Sequence, residues 1–166
     1  DGKTNPLLYG FNEIIRFNDL QDGDITEATD VVLKDADAIL QEIIDLDNEN
    51  RTFNNTMRRI DDFYNVIEKA WSPGYLMGYT HTNQTIRDEG LESSRKIEKY
   101  ITDISLNEDL YNAVLSFSNS KKSQNLSGYK KKFLNDTLLD YKRRGFGLSK
   151  EKRDIVKGIL NNLSDL

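Results

Sequence analysis

Ile25, Ala28, Val32, Ala36, Ile39, Ile43 and Leu46 recur at spacings of 3, 4, 4, 3, 4 and 3. Nothing else in the chain restricts its fold as much. Such spacing places every apolar side chain on one stripe of a helix, and that stripe needs a partner surface. Asp24, with Glu27 three residues on, reads as a capping pair at the start. The helix is expected to run to about Asp47, a length of roughly 35 Å at 1.5 Å per residue.

The same period returns along the chain. A second helix is expected from Thr52, whose hydroxyl can cap it, with Phe53, Met57, Ile60, Tyr64 or Phe63, Ile67 and Ala70 inward. The run "SPGYLMGYTHT" then reads as an interruption, because Pro73-Gly74 and Gly78 are turn signals. A third helix over 83–103 places Ile86, Gly90, Ser93, Ile97 and Ile101 on one side. Gly90 costs about 1 kcal/mol relative to alanine in a helix interior, a cost tolerable where another helix packs closely. A short fourth helix follows Asn107, with Leu110, Tyr111, Val114 and Leu115 inward, and "SNSKKSQ" reads as a polar loop. A fifth spans about 125–144 on Leu126, Tyr129, Phe133, Leu134, Leu138 and Tyr141, with Lys130, Lys131, Lys132 and Arg143 toward water. A sixth begins after Ser149 and carries Ile155, Ile159, Leu160 and Leu163. Residues 1–22 form an extended lead-in, since Pro6 biases Asn5 away from helix. Leu7, Leu8, Phe11, Ile14, Ile15 and Phe17 give it an apolar side to pack with. No β-type alternation is sustained. The expectation is an all-α chain: the lead-in at 1–22, then about six helices over 23–166, packed as antiparallel hairpins or a bundle.

Charge and composition narrow the function. Within 121–153 there are eleven Lys/Arg and three Asp/Glu, a local +8; the remainder carries 12 basic and 25 acidic residues, or -13. A nucleic-acid binder would be basic across the whole domain, so the block reads as a solvated helix face balanced by the acidic remainder. No apolar run is long enough to span a bilayer. The absence of cysteine excludes disulfides and thiolate metal sites. The chain begins at Asp1 rather than methionine, as it would if an earlier segment had been removed. A cytoplasmic location is favoured, with the cell envelope as the alternative if that segment was a signal.

The segment "DYKRRGFGLSKEKRD", 140–154, imitates a phosphate-gripping loop. Such a loop follows a strand and opens a helix, whereas here a helix comes first, and the Walker spacing fails. A corner between helices accounts for the residues better. Lys142, Arg143 and Arg144 complement the negative end of the helix dipole, and Gly145 ends the helix in a left-handed conformation. Ser149 caps the next helix, with Leu148 packing back as a hydrophobic staple.

Candidate chemistry is sparse. His81, the one histidine, lies in the polar stretch "GYTHTNQT", and His-Glu-x-x-His is absent. A zinc site needs three or four ligands, and no spacing here supplies them. Asp45, Asp47 and Glu49 begin like a calcium loop, but Asn50 stands where glycine is needed and Thr56 where the bidentate glutamate belongs. Asp61-Asp62 and Asp22/Asp24 are adjacent carboxylates without a partner for acid–base work, expected in solvent. The aromatic residues fall on inward stripes and read as core. From the residues alone, no catalytic, cofactor-binding or metal-ligating side chain is assigned.

The order of segments nevertheless resembles the amino-terminal region of the M3 zinc metallo-oligopeptidases. "TNPLL" (4–8) and "DITEATDVVLKDADAILQEI" (24–43) resemble that family's opening, and "RTFNNTMRRIDDF" (51–63) its second helix. "IRDEGLES" (86–93) and "NEDLYNAV" (107–114) are similar to the next two. The tail from Phe133 to Leu166 resembles its paired helices around a Gly-x-x-Leu turn, here Gly145 to Leu148. The resemblance implies a helical domain forming part of one wall of a deep channel that admits short peptides. Zinc and the catalytic residues would lie in a catalytic domain downstream, so the 166 residues would end before it and be inactive alone. Partners would be that domain and short peptide substrates, with neither nucleic acid nor membrane. The alternative is a self-contained interaction module that docks an acidic partner through 121–153.

Overall fold

A computed structural model describes residues 5–9 and 13–164. Phe11 lies outside the described residues, as do the side chains of Leu160 and Leu163. The described residues hold seven α-helices and no strand: α1 (Asp24–Ile44), α2 (Arg58–Thr80), α3 (Gln84–Ser105), α4 (Glu108–Ser118), α5 (Lys121–Gln124), α6 (Gly128–Arg143) and α7 (Lys150–Ser164). The all-α expectation holds. The chain divides into two compact units, one of Asp1–Asp37 with Tyr64–Glu98, the other of Ala38–Phe63 with Lys99–Leu166.

In the first unit the stripe of α1 behaves as its spacing requires, with Ile25, Ala28, Val32 and Ala36 buried. Its N-terminal amides are satisfied from a distance. The Glu89 carboxylate of α3 accepts from Gly23 N–H at 3.1 Å and from Thr26 N–H at 2.7 Å. Asp24, expected to cap through its side chain, instead accepts from Gln21 N–H at 2.8 Å. A carboxylate at this end also meets the positive pole of the helix dipole. The lead-in is anchored here: Asn5 Nδ2 donates to Asp24 O at 2.7 Å and to Glu27 at 3.0 Å, and Leu7 is buried. Ile14, by contrast, is 88% exposed.

Helix α2 does not stop at Pro73-Gly74; it runs on to Thr80 with Pro73 inside it. Proline cannot donate to the carbonyl of Lys69, so local propensity argues against this path. Packing overrides it. A Cβ placed on Gly90 of α3 would lie 2.5 Å from Gly74 O and 2.7 Å from Gly78 N. The glycines read as a turn signal are therefore the seat of a backbone-to-backbone crossing between α2 and α3.

In the second unit, Ile39, Leu40 and Ile43 of α1 are buried, as are Met57, Ile60 and Phe63. Phe63, not the 44%-exposed Tyr64, takes the inward position. A π-helical turn, Phe53–Met57, precedes α2. Thr52 caps it as expected, accepting from Asn55 N–H at 3.2 Å while Asn55 Oδ1 accepts from Thr52 N–H at 2.6 Å. Asn107 caps α4 through Leu110 N–H at 2.8 Å. The stretch read as a polar loop contains the single turn α5, with Ser120 accepting from Ser123 N–H at 3.3 Å.

The corner between α6 and α7 is a Schellman motif. Gly145 has φ +94°, its N–H donates to Lys142 O at 3.1 Å, and Phe146 N–H reaches back to Tyr141 O at 3.0 Å. The residue that folds back is Phe146, whose ring meets Tyr141 edge-on at 5.0 Å and Tyr111 at 4.5 Å. Leu148, expected as a hydrophobic staple at the start of α7, is half exposed. On α7, Ile155 and Ile159 are 63% and 55% exposed, so its expected inward stripe is not covered at those two positions.

Candidate functional site

His81 follows α2 as part of a turn. Its Nδ1 accepts from Asn83 N–H at 3.1 Å, and the Arg87 guanidinium donates to the carbonyls of His81 and Thr82 at 2.7 and 3.0 Å. Among the described residues no group of three or more His, Cys, Asp or Glu is placed to hold a metal ion. The chain contains one histidine and no cysteine.

The calcium-like stretch "DLDNEN" surrounds a different cation. Arg51, only 4% exposed, sends its guanidinium to Ile43 O at 2.7 Å, Leu46 O at 2.8 Å, Ile44 O at 3.3 Å and Asn48 Oδ1 at 2.9 Å. The last carbonyls of α1, which lack partners within the helix, are thereby satisfied. Burial pushes the guanidinium pKa below its ordinary value, and the Asp47 carboxylate opposes that push.

Of the adjacent carboxylates, Asp62 is half-buried and accepts from Arg59 at 3.0 Å, while Arg59 also pairs with Glu42. These bonds, Glu42 first and Asp62 second, raise the pKa of Arg59. The expectation that Asp62 sits unpaired in solvent is corrected.

The basic segment is partly tied down within its unit. Lys122 Nζ donates to Glu49 O at 2.8 Å, Arg144 to Ser105 Oγ at 3.0 Å and Arg153 to Glu108 at 3.1 Å; Lys132 pairs with Asp136. Lys130 is different. Its ammonium lies 5.2 Å from the centroid of the Phe53 ring and 6.0 Å from that of Tyr129.

Those rings belong to a groove of about 580 Å³ where the π-turn and the start of α2 face α6. Phe53 meets Tyr129 and Phe133 edge-on, with centroids 6.3 and 6.4 Å apart. Asn54, Arg58, Asp61 and Lys130 complete the lining. Tyr129, expected in the core, is 74% exposed. Sequence reasoning missed this groove because its two sides lie some 76 residues apart in the chain (Phe53 to Tyr129). Only the Tyr129/Phe133 spacing of four, with Lys130 between, hints at an aromatic edge carrying charge. Among the described residues no helix is long and apolar enough to cross a membrane.

No protein-family model matches the chain. It is similar to a thimet-like oligopeptidase of Dictyostelium discoideum, 31% identical over 129 residues that make up 76% of this chain and 19% of that relative. Oligopeptidase A of Haemophilus influenzae is 24% identical over 163 residues, 98% of this chain and 24% of the relative. Oligopeptidase A of Escherichia coli is 23% identical over the same length, with the same coverage of 98% and 24%. The chain thus spans about a fifth to a quarter of the length of these relatives, in their N-terminal part. The resemblance to the M3 oligopeptidases read from the ordered segments is shown by these matches.

Proposed function

We propose that this chain is the amino-terminal helical part of an M3-type zinc oligopeptidase, one wall of a channel that admits short peptides and excludes folded proteins. The observation that carries the reading is the alignment of 98% of the chain with the N-terminal part of oligopeptidase A. In this reading zinc and the general base come from the rest of the parent chain, and metal-activated water cleaves the peptide there. These residues supply packing and size selection. The catalytic domain is the partner within the same chain, and a cytoplasmic location goes with the proposal.

Reading the coding sequence beyond Leu166 tests it. The expected result is a His-Glu-x-x-His motif with a further glutamate ligand. A reading frame that stops near Leu166 would defeat the proposal. So would hydrolysis of a quenched fluorescent peptide by the purified chain with zinc added. The rival reading, a docking module built on 121–153, has less support, because Lys122, Lys132, Arg144 and Arg153 already have partners inside the unit.

A further inference from the structure

The groove at Phe53, Tyr129 and Phe133 serves no role in the packing just described, and its chemistry is specific. At about 580 Å³ it falls within the range of about 300–1,000 Å³ common for small-ligand sites. Its floor is aromatic, with rings held edge-to-face rather than stacked shut. Two cations line it, Arg58 and Lys130, and neither makes an ion pair with a carboxylate among the described residues. The Lys130 ammonium rests over an aromatic face instead, a weak interaction at a solvent-accessible site that an incoming carboxylate can replace. Asp61 lines the same groove, so the lining carries two positive charges and one negative. That balance of +1 suits a single carboxylate better than a phosphate dianion or a nucleic-acid backbone.

We propose that this groove binds the carboxyl-terminal end of a short peptide whose last residue is aromatic. The guanidinium of Arg58 takes the terminal carboxylate in a bidentate fork, with Lys130 as the second counter-charge. The terminal side chain lies among Phe53, Tyr129 and Phe133, where edge-to-face geometry leaves an aromatic partner available on each ring. The choice of a peptide over other aromatic carboxylates rests on the oligopeptidase reading above, and it assigns this domain a share in holding substrate.

The test is direct binding to the 166-residue chain, independent of catalysis. An N-terminally fluorescein-labelled tetra-alanine peptide ending in phenylalanine with a free carboxylate is titrated by anisotropy. The comparisons are its C-terminal amide and a peptide ending in glycine. Saturable binding is expected for the first, weaker by about tenfold for each of the others, the size of one lost charge-assisted bond or one lost ring contact. Arg58→Gln and Lys130→Gln are each expected to weaken it by about tenfold. Both residues are surface-accessible, and unchanged melting curves establish that the variants fold. Lys142→Gln, at an exposed position outside the groove, is expected to bind like wild type. Absence of saturation, equal binding of acid and amide, a Lys142→Gln effect as large as that of Lys130→Gln, or AMP binding more tightly than the peptide each overturns the proposal. None of these results bears on the coding sequence beyond Leu166, so failure here is distinguishable from failure of the oligopeptidase reading.

Discussion

Replacing Gly90 by alanine sets two effects of opposite sign against each other. Alanine is the better helix former by about 1 kcal/mol. The new methyl would lie 2.5 Å from Gly74 O, 2.7 Å from Gly78 N and 3.0 Å from Gly78 Cα. All three obstacles are backbone atoms, so no side-chain rotation gives relief; α2 and α3 must separate. Overpacking typically costs about 1–3 kcal/mol, and a clash with unyielding backbone belongs at the upper end. The net loss is then about 2 kcal/mol, or roughly 4–8 °C in Tm for a chain of this size. Two internal controls sharpen the test. At Gly78 the added methyl would meet Leu91 at 3.1 Å, part side chain and part backbone, so the terms should nearly cancel. At Gly74 the nearest atom is Ile25 Cγ2 at 3.4 Å, an ordinary contact, so Gly74→Ala should be neutral or gain up to about 1 kcal/mol. Urea and thermal melts followed by far-UV circular dichroism should rank the variants Gly90→Ala, Gly78→Ala, Gly74→Ala from least to most stable. A Gly90→Ala protein as stable as wild type would refute the backbone crossing.

Arg51→Ala should lose about 3 kcal/mol in urea melts, since it strands carbonyls of Ile43 and Leu46 without a donor, and Arg51→Lys should recover only part of that. Glu89→Ala should cost about 1 kcal/mol, within the range for lost N-terminal caps, and speed amide exchange at Gly23 and Thr26. Gly145→Ala forces a side chain into φ +94° and should cost about 1 kcal/mol or more, measured by the same melts. Phe146→Ala should cost about 3 kcal/mol, because it removes a buried ring from the Tyr111–Tyr141 cluster.

Features carried by short-range pattern were legible in the sequence. The α1 stripe, the cap at Thr52 and the left-handed Gly145 each depend on residues within a turn or two of one another. What escaped depends on distant partners. Pro73-Gly74 carries a strong local signal for a turn, and only the approach of Gly90 makes the helix continue. Asp24 looked like a cap because Glu89, its replacement, lies more than sixty residues away. Tyr129 obeys the inward spacing of α6, yet the helix rotates Leu134 and Tyr141 into the core and leaves Tyr129 on the groove edge. Nothing in the spacing of residues 125–144 shows where a groove ends and a core begins. Phe146 escaped notice because its place in the corner is set by rings on other turns and helices, Tyr141 and Tyr111.

The two ends of α1 are held by opposite charges from elsewhere in the chain, Glu89 at the first turn and Arg51 at the last. Helix tips are ordinarily where unravelling begins and where a protease or unfoldase finds its first loose thread. With both tips fastened, α1 offers no such handle, and digestion of the native chain should leave it among the last segments to be cut.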